Sequence, residues 1–591
     1  MAAEAPEDRL ESWKEIAAFL RRDVRTVQRW EKAEGLPVHR HFHDKQGSVF
    51  ALRSELERWQ ASRVRVPEEE PAVSGEPSLE PEAEEVPKDD KGRRLPWRGW
   101  VLGLAGTLLL ALGGWAAWRF LAPVDRGIVL AVMPFENLDG SGVDDFFTDG
   151  LTEELITQLR RQLPPGVRIL AMGSTRPYKR SPKRIGQIAR ELGATQLFLG
   201  RVRRSEDHVR ITAHLVKGRD ETEGWSEVFD APVGDALAIQ AQVAEHLARS
   251  LSLALRPSGT RSHPTPSQAA AEPFMKGRFF FGRRTPLDLF KALAFYQEAL
   301  RLDPAYAPAH VGVANCLALL GSAEMGAMAP AQAMPAARAA LERALVLDPD
   351  LAEAHATLAY IKLIHDWDWP GSEAEFRRAI HLDPNLATAH QWYALLLSVL
   401  GRSQEALVEL ARAEAVDPLS PVVKTALSEC HYFARDFDRA ETAARAAMEL
   451  DPAFMLAHVN LGRARAQKGD LAGAARIFKA AWEQSGRGPG LAMLLGHTYA
   501  RMGDRARAQE MLEALRHPPV YGGRPLPVPS LYFAAIHAAL KEREATFRYL
   551  DRALDERCEY LVYLRRDPMA DELRQDPRFR ALMGKVGLPE K

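Results

Sequence analysis

Asp-Pro recurs at residues 303, 348, 383, 417 and 451, and the last three intervals are 35, 34 and 34 residues. An alanine stands four residues before each of these aspartates (Ala299, Ala344, Ala379, Ala413, Ala447). An aliphatic residue stands directly before each (Leu302, Leu347, Leu382, Val416, Leu450). A fixed period of this length means a stack of similar units, each burying its apolar face against the next. The residue types predict helix pairs. Alanine permits two helices to cross closely, proline stops the second helix of each pair, and the aliphatic is expected to fill the interface. The first interval, 45 residues, holds "GSAEMGAMAPAQAMP", expected to be an inserted loop.

The spacing and the stretch "NLGRARAQKGDLAGAARIFKAAW" resemble the tetratricopeptide repeat, which implies an α-solenoid over residues 268–591. Seven to eight repeats are expected, with "DPMADELRQDPRFRALMGKVG" as a capping helix whose outer face is more polar. His310, His355, His390 and His458 each fall seven residues after a repeat aspartate. Equivalent residues of stacked repeats form a ladder and do not surround one point, so they are expected to pack and not to bind metal. The resemblance implies a groove for a protein or peptide partner.

The first 66 residues read differently. Ser12 and Glu15 fit a capping box for a helix that buries Ile16, Ala17 and Leu20. Asp23 is a candidate cap for a second helix, on which Val27 and Trp30 face the first. Its other face carries Arg25, Thr26, Gln28, Arg29 and Lys32, and Gly35 and Pro37 end it. "VHRHFHDKQGSVFAL" predicts a β-hairpin around Lys45-Gln46-Gly47, and "SELERWQ" a closing helix. With "SWKEIAAFL", "RTVQRW", "GLPVHR" and "ALRSELERW", residues 9–62 resemble the winged helix-turn-helix of the MerR/excisionase class. The resemblance implies that Arg25, Thr26, Gln28 and Arg29 meet bases or phosphates of double-stranded DNA. It likewise places Arg40, His43 and Lys45 of the wing on the backbone. His39, His41 and His43 alternate on one strand face; three ligands in an extended run rarely converge tetrahedrally, so a wing touching phosphate is expected.

Residues 67–90 hold ten acidic residues, five prolines and one lysine, a composition that cannot bury apolar surface; residues 67–96 are expected to form a disordered linker with a basic end. Gly99 to Trp118 contains no charged residue, and Trp97, Trp100, Trp115 and Trp118 cluster at the two ends. Residues 97–121 are therefore expected to cross a bilayer. Lys91, Arg93, Arg94 and Arg98 precede that stretch, against Arg119 and Arg126 after it, which predicts a cytoplasmic N-terminus in a bacterial inner membrane and a periplasmic C-terminus. Gly99 and Gly103 form a small-xxx-small pair suited to close approach of two spans, and a homodimer is a further expected partner. The acidic, polar first residues do not fit a cleavable signal peptide.

Residues 128–256 predict the order β-α-β-α-β-β-β-α, a small α/β sandwich. "LAVMPFENLDG", "FFTDGLTEELITQL", "ARELGATQLFLGRVRR" and "VRITAHLV" resemble a FlgO-like or TolB-amino-terminal-like domain, which implies an interaction module. Asp144, Asp145, Asp149, Glu153 and Glu154 suit the start of a helix, where negative charge is favoured.

Cys316, Cys430 and Cys558 are far apart and odd in number, so neither a disulfide framework nor a metal site is expected. No phosphate loop or nucleophile elbow stands out, and neither catalysis, cofactor nor metal is expected. The expectation is a mainly α, multidomain chain: a winged helix-turn-helix (1–66), a linker (67–96), one transmembrane helix (97–121), an α/β domain (128–256) and a capped solenoid (268–591). The plan is similar to the ToxR/CadC style of one-component regulators, whose DNA-binding domain is of another winged type. The alternatives are a membrane-anchored scaffold without enzymatic activity and, less in keeping with the residues, a relative of signalling chains that carry a cyclase or kinase.

Overall fold

A computed structural model describes residues 9–61, 127–253 and 268–588, each with short gaps that include 41–48. The expected linker and the expected span at 97–121 lie outside the described residues. Among the described residues, no helix is long and apolar enough to cross a membrane. The chain divides into two compact units, 1–113 and 114–591.

In the first unit, β1 (Arg9–Leu10), α1 (Trp13–Phe19), α2 (Val24–Glu34), β2 (His39–Arg40), β3 (Val49–Leu52) and α3 (Arg53–Ala61) follow in order. Ser12 caps α1, its hydroxyl accepting the Glu15 N–H at 3.3 Å. The strands form an antiparallel sheet in the order β1-β3-β2, with Leu10 opposite Ala51 and His39 opposite Phe50. The expected hairpin thus gains a third strand from the chain start. Leu10, Ile16, Leu20, Val27, Leu36, Val49, Ala51 and Leu56 close one core.

The second unit begins with a mixed sheet in the order β6-β4-β7-β8-β9: β4 (Val129–Val132), β6 (Arg168–Ile169), β7 (Gln196–Arg204), β8 (His208–Lys217) and β9 (Glu223–Pro232). A short β5 (Glu136–Asn137) runs beside β7. β4 pairs in parallel with β6 and β7, whereas β7, β8 and β9 are antiparallel. Helices α4 (Asp145–Gln162) and α6 (Ala236–Ser250) cover one face through Leu151, Leu155, Leu159, Val243 and Leu247. Helix α5 (Ile185–Leu192) covers β4 and β7 on the other, with Ile188 and Leu192 in one cluster with Val129, Ala131 and Leu197. All four residues of β4 are buried, as a strand covered on both faces requires.

Eight antiparallel helix pairs follow among the described residues, from Gln268–Phe281 with Pro286–Leu302 to Ser530–Ala539 with Arg543–Asp555. In five of them the N–H of the repeat aspartate bonds the carbonyl of the alanine four residues earlier, at 2.8–3.0 Å for Asp303, Asp348, Asp383, Asp417 and Asp451. Each of those alanines has no exposed surface. One residue type therefore closes the last turn and lets the neighbouring helix approach. Gly462, in mid-helix, permits the same close approach inside its pair, since a Cβ there would collide with the Phe478 ring.

The aliphatic expectation needs correction. Leu302 is 45% and Leu450 37% exposed, and of the five only Val416 is buried. Val416 is covered because its turn packs on the α/β domain, where the Ala171 N–H bonds the Val416 carbonyl at 2.9 Å. Nor is "GSAEMGAMAPAQAMP" all loop: helix Pro330–Leu347 takes up its second half. The cap also differs. It comprises two 3-10 turns, Glu559–Val562 and Pro568–Leu573, then one helix, Pro577–Val586, that buries Phe579, Leu582, Met583 and Val586.

The three cysteines are buried, and burial raises the thiol pKa of all three; they act as small packed hydrophobes.

Candidate functional site

On α2, Val27 is fully buried and Trp30 rests on Trp59 of α3 with ring centroids 5.5 Å apart. That anchoring turns Arg25 and Arg29 out to solvent, while Thr26 and Gln28 are half-buried. The side chains of Lys32 and Arg40, and the whole of His41, His43 and Lys45, lie outside the described residues. His39 is not free for phosphate as expected of the wing: its Nε2 stands 2.7 Å from Glu55 Oε2, and its ring stacks on Phe50.

The acids of α4 are structural partners. The Lys179 ammonium donates to Asp149 at 2.6 Å. Arg278 of the first repeat lies 3.4 Å from Glu154 and 3.7 Å from Glu153. Asp144 and the Asp145 side chain lie outside the described residues. Two repeat turns complete this junction. Asn385 Nδ2 donates to the Val167 carbonyl at 3.1 Å and its Oδ1 accepts the Ile169 N–H at 3.4 Å, which caps the edge strand β6. One repeat later, Ser174 Oγ donates to Asp417 and accepts the Leu419 N–H at 2.9 Å. Burial raises the Asp417 carboxyl above its ordinary range. The residue two after the repeat aspartate is Ala, Asp or Ala in the other three turns, but Asn385 and Leu419 here; that departure was the available signal.

The histidine ladder packs, and also locks each turn. Nε2 of His310, His355, His390 and His458 donates to the carbonyl of Pro304, Pro349, Pro384 and Pro452 at 2.8–3.0 Å. His355 Nδ1 also meets Glu375 at 2.7 Å, and Lys362 joins that carboxylate at 3.0 Å. Burial pushes the His355 pKa down, but Glu375 and the Pro349 carbonyl outweigh it and hold it above the ordinary value. Bonds from His355 and Lys362 hold Glu375 below its own. A raised histidine contributes stability that is complete below its unfolded pKa and fades as pH rises through the folded one. The gap in urea midpoint between the natural chain and His355→Gln is therefore expected to be widest near about pH 6 and to shrink by about pH 8.5. A gap independent of pH would show that His355 acts by packing alone.

The first helices of successive pairs pack along one layer, and the C-terminal segment folds onto it. The Tyr360 hydroxyl donates to Glu559 and Tyr432 to Asp567, and Trp369 Nε1, at the start of the third pair's second helix, donates to the Gly587 carbonyl. Arg463 reaches Asp567 and Arg435 reaches Asp571. One short segment can touch helices separated by three repeats only if the layer curves around it. Part of the groove expected for a partner is thus occupied by the chain itself. Among the described residues, no group of three or more His, Cys, Asp or Glu side chains is placed to hold a metal ion.

Tetratricopeptide-repeat family models match residues 427–489 and 465–518. A Rhizobium meliloti (strain 1021) protein named "Putative adenylate cyclase 3" is 28% identical over 233 residues, 39% of each chain. The chain thus spans about two fifths of the length of that relative. Among solved structures, PilF of Pseudomonas aeruginosa is 20% identical over 37% of this chain and 94% of its own, with a TM-score of 0.29. A thermophilic TPR protein of Thermus thermophilus is 19% identical over 33% of this chain and 98% of its own, with a TM-score of 0.28. The C-terminal region of this chain is a helical solenoid that carries tetratricopeptide repeats, a fold suited to protein–protein interaction.

Proposed function

We propose that the chain is a membrane-anchored one-component transcriptional regulator. Its repeats and α/β domain take up a protein, peptide or envelope signal, and its N-terminal unit, a winged helix-turn-helix, reads promoter DNA. The observation that carries the DNA reading is α2, whose Val27 is buried while Arg25 and Arg29 face solvent. A helix fixed on one side and basic on the other suits the major groove. The 97–121 stretch would be the anchor, with the N-terminus cytoplasmic. A reporter active only in the periplasm is expected to work when fused after Lys591 and to stay silent when fused after Arg65. The reverse pattern, or cytoplasmic activity at both points, would overturn the topology and the sensing model with it.

A second reading is a non-enzymatic scaffold in which the N-terminal unit binds protein; the family matches, which fall only on the repeats, favour it. In either reading the chain is not an enzyme. The likeness to the Rhizobium protein would then reflect shared interaction modules, with cyclase chemistry belonging to the part of that protein outside the match.

A further inference from the structure

Residues 563–575 run between two buried anchors. Leu561 and Val562 on one side have no exposed surface, and Phe579, Met583 and Val586 on the other are at most 3% exposed. Within 563–575 only Pro568 and Ala570 are buried, while Asp571, Glu572 and Gln575 are exposed. The contacts of this strap are of a kind that an interface uses. Tyr563 lies parallel to Phe433, with ring centroids 5.6 Å apart and planes within 1°. Asp567 accepts from the Tyr432 hydroxyl at 3.0 Å and from Arg463 Nη2 at 3.0 Å. Asp571 accepts both terminal nitrogens of Arg435, at 2.5 and 2.7 Å, a bidentate pair.

The strap satisfies its site incompletely. Arg463 Nε is buried and has no hydrogen-bond partner among the described residues, although a carboxylate can accept from a guanidinium with both oxygens. A small cleft lined by Tyr432, Arg463, Phe478, His497, Arg501 and Met569 lies at that place.

We propose that residues 563–575 are a displaceable internal occupant, and that the face formed by Tyr432, Phe433, Arg435 and Arg463 takes a partner segment of the same chemistry. That partner presents an aromatic side chain, then a carboxylate four residues on and a second four residues beyond, repeating Tyr563, Asp567 and Asp571. The strap competes with it from within the chain, at the high effective concentration a short tether gives. The anchors stay seated while the strap lifts. The proposal rests on reading the repeats as a protein-recognition surface.

The probe is a labelled synthetic peptide with the sequence of residues 559–576, added to the purified full chain. The variant Tyr563→Ala/Asp567→Ala/Asp571→Ala is expected to bind it at least about tenfold more tightly than the natural chain, because the tethered competitor is gone. Adding Arg463→Ala to that variant is expected to abolish the gain. Equal binding to both chains, or none to a variant that still melts cooperatively, would overturn the proposal. Amide exchange of the natural chain is a second arm that needs no substitution. Residues 563–575 are expected to exchange well before helix Pro577–Val586, and exchange in step would equally overturn it. A reversed topology or an inert N-terminal unit would remove the regulator and leave these results unchanged; failure of the peptide would remove the strap alone.

Discussion

Replacing Arg25 and Arg29 together by alanine is expected to weaken DNA binding by about 2–6 kcal/mol, at about 1–3 kcal/mol for each base-reading contact. Both side chains are exposed on α2, so their removal disturbs no packing, and the core of Leu10, Ile16, Val27, Ala51 and Leu56 is enclosed within residues 9–61. Residues 1–66 can therefore be titrated alone against promoter fragments recovered by immunoprecipitation of the full chain. The natural unit should lose affinity steeply with added salt, because release of counterions from the phosphates gains less as salt rises, and the double variant should show a shallower slope. Thr26→Ala and Gln28→Ala should cost less, since both side chains are half-buried against the unit itself. Unchanged affinity in a folded double variant would remove DNA recognition from α2 and leave the scaffold.

Arg278→Ala is expected to cost about 3–5 kcal/mol of stability, the range for breaking a buried ion pair from one side. The guanidinium is 13% exposed and faces Glu154, itself 10% exposed, with Glu153 beside it. It also donates to the Thr157 hydroxyl at 3.3 Å. Removing it strands a buried carboxylate where the α/β domain and the first repeat approach closely, a Cβ on Gly150 standing 2.7 Å from Met275. Chemical denaturation should show the loss, with the α/β domain melting ahead of the repeats. Arg278→Lys should recover only part, because an ammonium keeps the charge but not the planar fork. A loss below about 1 kcal/mol would be that of a surface pair and would show the junction to be solvated.

What the sequence made legible was what it encodes locally. Ala299 and Asp303 sit one helical turn apart, so a single hydrogen bond expresses their spacing, and the period could be read without knowing what the helices touch. Ser12 and Glu15, or Val27 and Trp30, are local in the same way. The strap and the junction are not. Asn385 meets β6 across 216 residues and Arg435 meets Asp571 across 136, and no periodicity links such positions. The aliphatic before each aspartate misled for a related reason. Its place in the repeat is fixed, but its burial depends on what lies over the turn, and of the five only Val416 is buried. For the α2 surface, sequence supplied the residues and the core supplied their orientation.

Tandem arrays ordinarily lengthen or shorten by whole units as genes duplicate and delete, because each unit knows only its neighbours. This array is pinned at both ends. Gln268–Phe281, Asn385 and Leu419 all hold the α/β domain, which fixes how many units lie between them. Tyr360 and Glu559, with Trp369 and Gly587, tie the third unit to the chain end and fix the remainder. Inserting one 34-residue unit after Asp417 would leave each local fit intact and still misplace every tie that spans it. Substitutions on the faces of the units are thus expected to be tolerated where a change in their number is not.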